Sequence, residues 1–449
     1  MTSNWKIETE SKAGYKIDLP AEFNKSEARL LKHLEALSVE KNASTREELL
    51  AVLKEICTAQ NLLLEKQRGL ELVDAAFHSL SGFSVLDYFL EDDELEEVSV
   101  CGKGKPVRVF KRGAGWLETN CVLLDDGHAV DLANKMARSL GRRLSFKTPR
   151  INAVLPDGSR LHASIPPLNV DGVELTIRKF KREPYSVASL VANKTISSEA
   201  AAFLWLALQL DSSLLIAGNT GSGKTTMLNA LFSFIPLTER VVVTEETPEI
   251  SLPHEHLVRV VSNEQSGVKM SDLVQDTLRM RPDRLVVGEV RTPDETRALF
   301  DCLMAGQARG TYATFHALNS RDALSRLLSL GCREDELNAL DLILVQRRFT
   351  SFDSKNKKQF EERRVLELAE VSNGQVLPLF SINPKTKRLL STKCLEKSFC
   401  FKRLCNSLNL TGTGLKRELR NRARFLESTA SRNLSFAEFT SQANDYLFK

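Results

Sequence analysis

The 449-residue sequence has no apolar run long enough to cross a bilayer. Its most apolar helical stretch, residues 200–210, is about half the length a spanning helix needs. The opening stretch, "MTSNWKIETESK", lacks the basic-then-apolar order of a secretory leader. The expectation is a chain that is neither secreted nor inserted in a membrane on its own. Paired cysteines are missing too. The eight cysteines (Cys57, Cys101, Cys121, Cys302, Cys332, Cys394, Cys400 and Cys405) contain no CxxC. Even the closest group, Cys394, Cys400 and Cys405, is not spaced as a zinc site. The length excludes a small disulfide scaffold, so the cysteines read as reduced, mostly buried thiols in a cytoplasmic protein. No internal repeat is present, which excludes a solenoid.

What is there is ordinary in bulk and uneven in charge. With 42% hydrophobic and 27% charged residues, the composition is that of a soluble globular protein. The length suits two to three domains. The net charge of +4 conceals an asymmetry. Residues 385–449 carry 14 Lys and Arg against 5 Asp and Glu, leaving 48 against 53 in the remainder. A basic tail on a mildly acidic body suggests a partner specific to the tail, or a solvated basic helix. The acidic body also lacks a basic-aromatic groove, which argues against nucleic acid.

The chain reads as four segments. Residues 1–80 are helical, with apolar stripes at Leu30, Leu31, Leu34 and Leu37 and at Leu49, Leu50, Leu53 and Ile56. Ser44 or Thr45, with Glu47 or Glu48 three residues on, caps the second stripe. Residues 81–183 form a small α+β domain. "LEEVSV" and "PVRVF" alternate like strands, "AVDLANKMARSLG" is a helix ended by Gly141, and "RINAVLPDGSRLHASI" is a hairpin turning at Asp157-Gly158. Residues 184–384 interleave helices with short apolar strands, "SLLIA", "RVVVTEE", "RLVVGEV" and "YATFHA", and close on a hairpin of "DLILVQRR" with "RRVLELAEV". That is the α/β pattern of a mainly parallel sheet covered on both faces. Residues 385–449 are a largely helical basic tail.

"AGNTGSGKTT" follows an apolar strand and opens a helix, as a phosphate-binding loop requires. Gly218, Asn219, Thr220, Gly221, Ser222, Gly223, Lys224, Thr225 and Thr226 would cradle a nucleotide. Glycines let the N–H groups converge on the phosphates, and the helix dipole assists. Lys224 would pair with the β- and γ-phosphates, and Thr225 would hold Mg²⁺. Glu289 ends the strand "RLVVGEV", where a carboxylate can hold the metal's water shell or polarise the attacking water. No Asp stands beside it. Thr292, Pro293 and Glu295 cap the helix that follows. Glu245 and Glu246 close another strand and either supply a general base or cap a loop. His316, after "TYATF", is either structural or a γ-phosphate sensor. Arg160 and Arg178, in the second segment, are either solvated or salt-bridged, or reach phosphate across an interface.

Together the stretches "PRINAVLPDGSRLHASIPP", "ELTIRKF", "GNTGSGKTTMLNAL", "TEETPEISLPH", "LRMRPDRLVVGEVR" and "TFHALNS" resemble, in order, those of the type II/IV secretion-system ATPases. That family includes pilus-assembly and archaellum motors, and the archaeal branch looks most similar. The resemblance covers about residues 80–385. It implies an N-terminal domain linked to a RecA-like P-loop domain, a hexameric ring, and nucleotide near domain and subunit boundaries. It also implies ATP and Mg²⁺ as cofactors. Carried over by position, Lys224 and Thr225 belong to the phosphate loop and Glu289 to the second nucleotide motif. Glu245 and Glu246 form the acidic box, and His316 is the second histidine of the histidine box. Arg178, and more weakly Arg160, match N-terminal-domain arginines that reach phosphates. The acidic box commonly reads Glu-Asp, so Glu246 departs from it and Glu245 is favoured as the key member. Gln307 stands near the place of the missing first histidine, where it can position but not change charge.

The reading is an ATP-driven hexameric motor at the cytoplasmic face of a membrane. It would work on an integral platform protein to extend a pilus-like filament or export protein, with the tail contacting platform or anionic lipid. The rivals are a RecA-like nucleic-acid translocase and a nucleotide-gated scaffold without turnover.

Overall fold

A computed structural model describes all residues but 1–4, 9–12, 18–22, 139–142, 181–182, 264–265, 354–357, 433 and 448–449. The chain divides into two compact units, Met1–Lys181 and Arg182–Lys449. No helix among the described residues is long and apolar enough to cross a membrane.

The first unit opens with β1 (Trp5–Ile7) and three helices, α1 (Lys25–Glu40), α2 (Arg46–Ala59) and α3 (Lys66–Leu80). Their stripes meet in a core of their own, built on Leu30, Leu34, Leu49, Leu53, Ile56 and Leu72. Of the possible caps on α2, Thr45 with Glu48 forms the reciprocal box. After α4 (Leu86–Glu91) come β2 (Leu95–Val100), β3 (Pro106–Lys111), β4 (Gly115–Leu123), α5 (Asp126–Met136), β5 (Arg150–Val154), β6 (Arg160–Ser164) and β7 (Glu174–Arg178). The seven strands pair antiparallel in the order β1-β4-β3-β2-β7-β6-β5. Gly158, at φ +88°, turns the β5–β6 hairpin where Asp-Gly predicts it. α5 itself ends at Met136; Gly141, the expected stop, lies outside the described residues.

The second unit is a layered α/β body. Its elements are α6 (Val187–Ala192), α7 (Ser198–Gln209), β8 (Leu214–Gly218), α8 (Lys224–Leu231), β9 (Val241–Glu245), β10 (Leu257–Val261), α9 (Met270–Asp276), β11 (Arg284–Val290), α10 (Pro293–Ala305), β12 (Gly310–Phe315) and α11 (Ser320–Ser329). Then follow β13 (Leu342–Asp353), β14 (Lys358–Ser372), β15 (Gln375–Ile382), β16 (Leu389–Ser391), α12 (Phe399–Ser407), α13 (Gly412–Ala430) and α14 (Phe436–Leu447). The sheet runs β10-β9-β11-β12-β8-β13-β14-β15-β16. It is parallel from β10 to β13 and antiparallel beyond. Its strands alternate between two cores. Leu214 and Ile216 face one with α7, α8 and α13, while Leu215 and Ala217 face the other with α10 and α11. Burial on both faces is why these strands read as unbroken apolar runs.

The basic C-terminal stretch shares the core of this second unit. Phe401, Leu404, Leu415, Leu426 and Phe439 join the cluster that holds Trp205. Part of its charge is internal. The Arg422 guanidinium lies 4.5 Å over the Trp205 ring, and Arg403 Nη1 donates to Asp341 at 2.9 Å. Arg417, Arg420 and Arg424 are exposed on the opposite face of α13.

The chain direction sets where a ligand can bind. From β8 the chain leaves to α8 on one face; from its neighbour β12 it leaves to α11 on the other. Such a divergence opens a crevice at the carboxyl ends of the strands.

Candidate nucleotide site

The carboxyl edge of the second unit's sheet gathers most of the expected residues. The loop 218–223 leaves β8 and ends at Gly223, the N-cap of α8, with φ +91°. A left-handed residue there is cheap only for glycine. It turns the chain so that α8 starts at Lys224, with Lys224, Thr225 and Thr226 in its first turn. The unsatisfied N–H groups of that turn and its dipole favour an anion at this point. Asn219 ties the loop down: its Oδ1 accepts from Arg348 N at 3.0 Å. Gln346 Nε2 does the same by donating to Ser222 O at 2.8 Å. Thr220 is exposed at the loop's surface.

Four carboxylates stand around the loop in different states. Glu289, on β11, is gripped from two sides. Its Oε1 lies 2.7 Å from His316 Nε2, and its Oε2 accepts from Arg291 Nε at 2.8 Å and from Arg291 Nη2. Glu246 is half-exposed and accepts from Arg291 Nη1 at 2.5 Å. Arg291 therefore bridges the ends of β9 and β11. Glu249 Oε2 accepts from Thr225 Oγ1 at 3.4 Å.

Glu245 is buried, 3% exposed. Its Oε1 accepts from Glu249 N at 2.8 Å and Ile250 N at 2.9 Å. Its Oε2 has no hydrogen-bond partner among the described residues. Burial pushes this carboxyl up to about 7, against the opposing pull of those two backbone donors. Glu245 lies on Gly288, where a Cβ would come 3.1 Å from Glu245 Cγ. The glycine before Glu289 thus makes room for the acid on the neighbouring strand.

His316 follows β12, which lies between β8 and β11. Burial and then Lys224 hold its imidazole below the ordinary histidine range, against the pull of Glu289. It therefore meets Glu289 as a neutral ring at pH 7. Gln307 does not join it. Gln307 precedes β12 at the amino edge of the sheet, lining a small cleft with Thr277, Leu278 and Cys302. The strand's six residues separate it from His316 by about 20 Å.

Arg160 and Arg178 lie in the first unit, as cross-strand partners on β6 and β7. Sequence reasoning passed over Arg291, Glu249, Gln346 and Arg348. The first two lie inside quoted motifs, but the Arg291–Glu246 pair is set by the packing of β9 against β11, and the Glu249–Thr225 pair by the approach of the segment after β9 to α8.

The residues fit a nucleotide with Mg²⁺. The glycine turn and α8 N-terminus suit a polyphosphate, and Thr225, Glu249 and Glu289 offer hard oxygens. Among the described residues no group of three or more metal-binding side chains would hold an ion unaided. At phosphate sites, Mg²⁺ takes one or two protein ligands and completes its shell with phosphate and water.

The end of β11 is anchored by α10. Thr292 accepts from Glu295 N, while Glu295 Oε2 accepts from Thr292 N at 3.1 Å and Arg291 N at 2.6 Å. Thr292→Ala is expected to cost about 1 kcal/mol, read as a lower urea midpoint at unchanged m.

Residues 121–379 match the family model described as "Type II/IV secretion system protein". An uncharacterized protein of Methanocaldococcus jannaschii is 42% identical over 219 residues, which are 46% of this chain and 30% of that one. The chain thus spans less than a third of that relative's length. A putative conjugal transfer protein of Mycobacterium tuberculosis is 33% identical over 264 residues, 56% of this chain and 74% of that one. The solved Yersinia pseudotuberculosis ATPase DotB covers 82% of this chain with 94% of its own, at 14% identity and a TM-score of 0.48. That likeness is too loose to bear on fold or function.

Proposed function

This chain belongs to the type II/IV secretion system protein family, and on that premise we propose that it is an ATP-hydrolysing motor with a RecA-like second unit. The observation that carries the reading is the convergence on one sheet edge of the 218–225 loop, Glu245, Glu289 and His316. A loop that only bound nucleotide would not need an acid tuned to about 7 on the strand beside Glu289.

Lys224 and the α8 N-terminus would bind the polyphosphate, and Thr225, with Glu289 and Glu249, would hold Mg²⁺ through its water shell, the ion supplying charge for the phosphates. Bound ATP supplies the phosphoryl group whose transfer to water releases the free energy. Glu245 accepts the proton of the attacking water at Oε2. His316 holds Glu289 in place and reports on charge at the γ-position. Arg291 holds Glu289 and Glu246 at the same edge, where their carboxylates would be available to the metal's water shell. Arg160 and Arg178 are assigned to phosphate contact by the motif they match. The motor works as a homo-hexamer at the cytoplasmic face of a membrane, acting on an integral platform protein to extend a pilus-like filament or export protein. The exposed face of α13, with Arg417, Arg420 and Arg424, is assigned to the platform or to anionic lipid.

The test is turnover by the purified chain with Mg²⁺ and ATP, together with its mass by sedimentation. Turnover accompanied by a six-fold mass is expected. DNA-stimulated turnover that falls steeply with salt would replace the motor with a nucleic-acid translocase. Six-fold mass without turnover would replace it with a scaffold.

A further inference from the structure

β13 is longer than its place in the sheet requires. Only Leu342–Gln346 pair with β8. The strand then runs on with β14 past the carboxyl edge of the sheet, alongside the phosphate loop. Asn219 fastens that overhang from both sides, accepting from Arg348 N and donating through Nδ2 to Arg348 O at 3.4 Å. Gln346 and Arg348, two residues apart, share a face, and Arg363 stands directly opposite Arg348 on β14.

That face lies on the loop. A Cβ at Gly221 would be 3.0 Å from Arg348 Nη1 and 3.3 Å from its Cζ. A Cβ at Gly223 would be 3.1 Å from Gln346 Nε2 and 3.8 Å from Arg363 Cδ. The two cross-strand positions bring two guanidinium-bearing side chains to the face that borders the loop. Among the described residues Arg348 pairs with Glu361, whose Oε2 is 3.7 Å from Nη1, with both side chains partly exposed. A long, partly solvated ion pair is weak and readily exchanged. Guanidinium binds phosphate oxygens with two parallel donors, which makes a polyphosphate the better partner.

We propose that Arg348, backed by Arg363, is a positioning cation for the polyphosphate held by the 218–225 loop, and that Glu361 competes with the nucleotide for it. This rests on the nucleotide-site reading above. It adds a phosphate contact supplied by the second unit itself, in a segment more than a hundred residues downstream of the loop.

The competition gives the test a sign. ATP and ADP affinities of the full chain are measured by equilibrium titration of a fluorescent analogue. Arg348→Gln is expected to weaken both about 10-fold, with Arg348→Lys recovering part of the loss. Glu361→Gln is expected to tighten both about 3-fold, because it frees the arginine. Melting temperatures without nucleotide establish that each variant is folded. Should Arg348→Gln fail to fold, Glu361→Gln alone decides. Wild-type binding combined with effects under twofold in both variants, or weakening in both, overturns the inference. A wild-type chain that binds no better than Lys224→Ala overturns the nucleotide site itself.

Discussion

Lys224→Ala is expected to lower ATP affinity about 100-fold and to remove measurable turnover. A charge-assisted bond from an ammonium to phosphate is worth about 1.5–3 kcal/mol, and each 1.4 kcal/mol is tenfold. Lys224 Nζ approaches the Gly218 carbonyl at 3.4 Å, and the loop's anchors do not run through it. Truncation therefore leaves the loop's anchors, Asn219 to Arg348 and Gln346 to Ser222, in place. A second effect separates this variant from a general disturbance. Lys224 is one of the cations that hold His316 below its ordinary range. Removing it is expected to raise the His316 pKa, followed by NMR titration of the ring. Unchanged ATP affinity would place the nucleotide elsewhere. An unmoved His316 would mean that loop and histidine are not electrostatically linked.

How much of this is legible in sequence depends on the distance over which each feature is built. β8, β9, β11 and β12 announce themselves because both faces are buried, leaving no polar alternation to confuse the pattern. The caps Thr45–Glu48 and Thr292–Glu295 are legible because both partners lie within three residues. β10 is an edge strand without a fully buried residue, so "LVRVV" carries little signal. The Arg291 bridge joins Glu289 to Glu246, 45 residues upstream of Arg291, through the adjacency of β9 and β11. Arg348 and Gln346 reach the loop only because β13 pairs with β8. Gln307 shows the opposite case. It is close to His316 in sequence, but a strand carries the chain straight from one edge of the sheet to the other.

Glu245→Gln separates catalysis from stability with opposite signs. As a general base, Glu245 is expected to contribute about 10²–10⁴-fold to turnover, and the amide cannot take a proton. Wild-type kcat should rise through pH about 7 as the buried carboxyl loses its proton, and the variant should lose that rise. Stability moves the other way. The carboxyl titrates at about 7 when folded, above the 4.5 of an exposed glutamate. Below about pH 4 both states hold the proton and the group has no effect on folding. Between 4.5 and 7 the folded chain keeps a proton that the unfolded chain has lost, so stability falls as pH rises. Above 7 the folded chain carries the full cost of the buried charge, about 3 kcal/mol. Glutamine fills the same space and its Oε1 still accepts from Glu249 N and Ile250 N. The variant is therefore expected to match wild type in denaturant midpoint at pH 4 and to exceed it at pH 8. A stability difference independent of pH would mean that Glu245 does not titrate near neutrality. Wild-type turnover in the variant would move the base to Glu246, whose carboxylate Arg291 holds at the surface of the same edge.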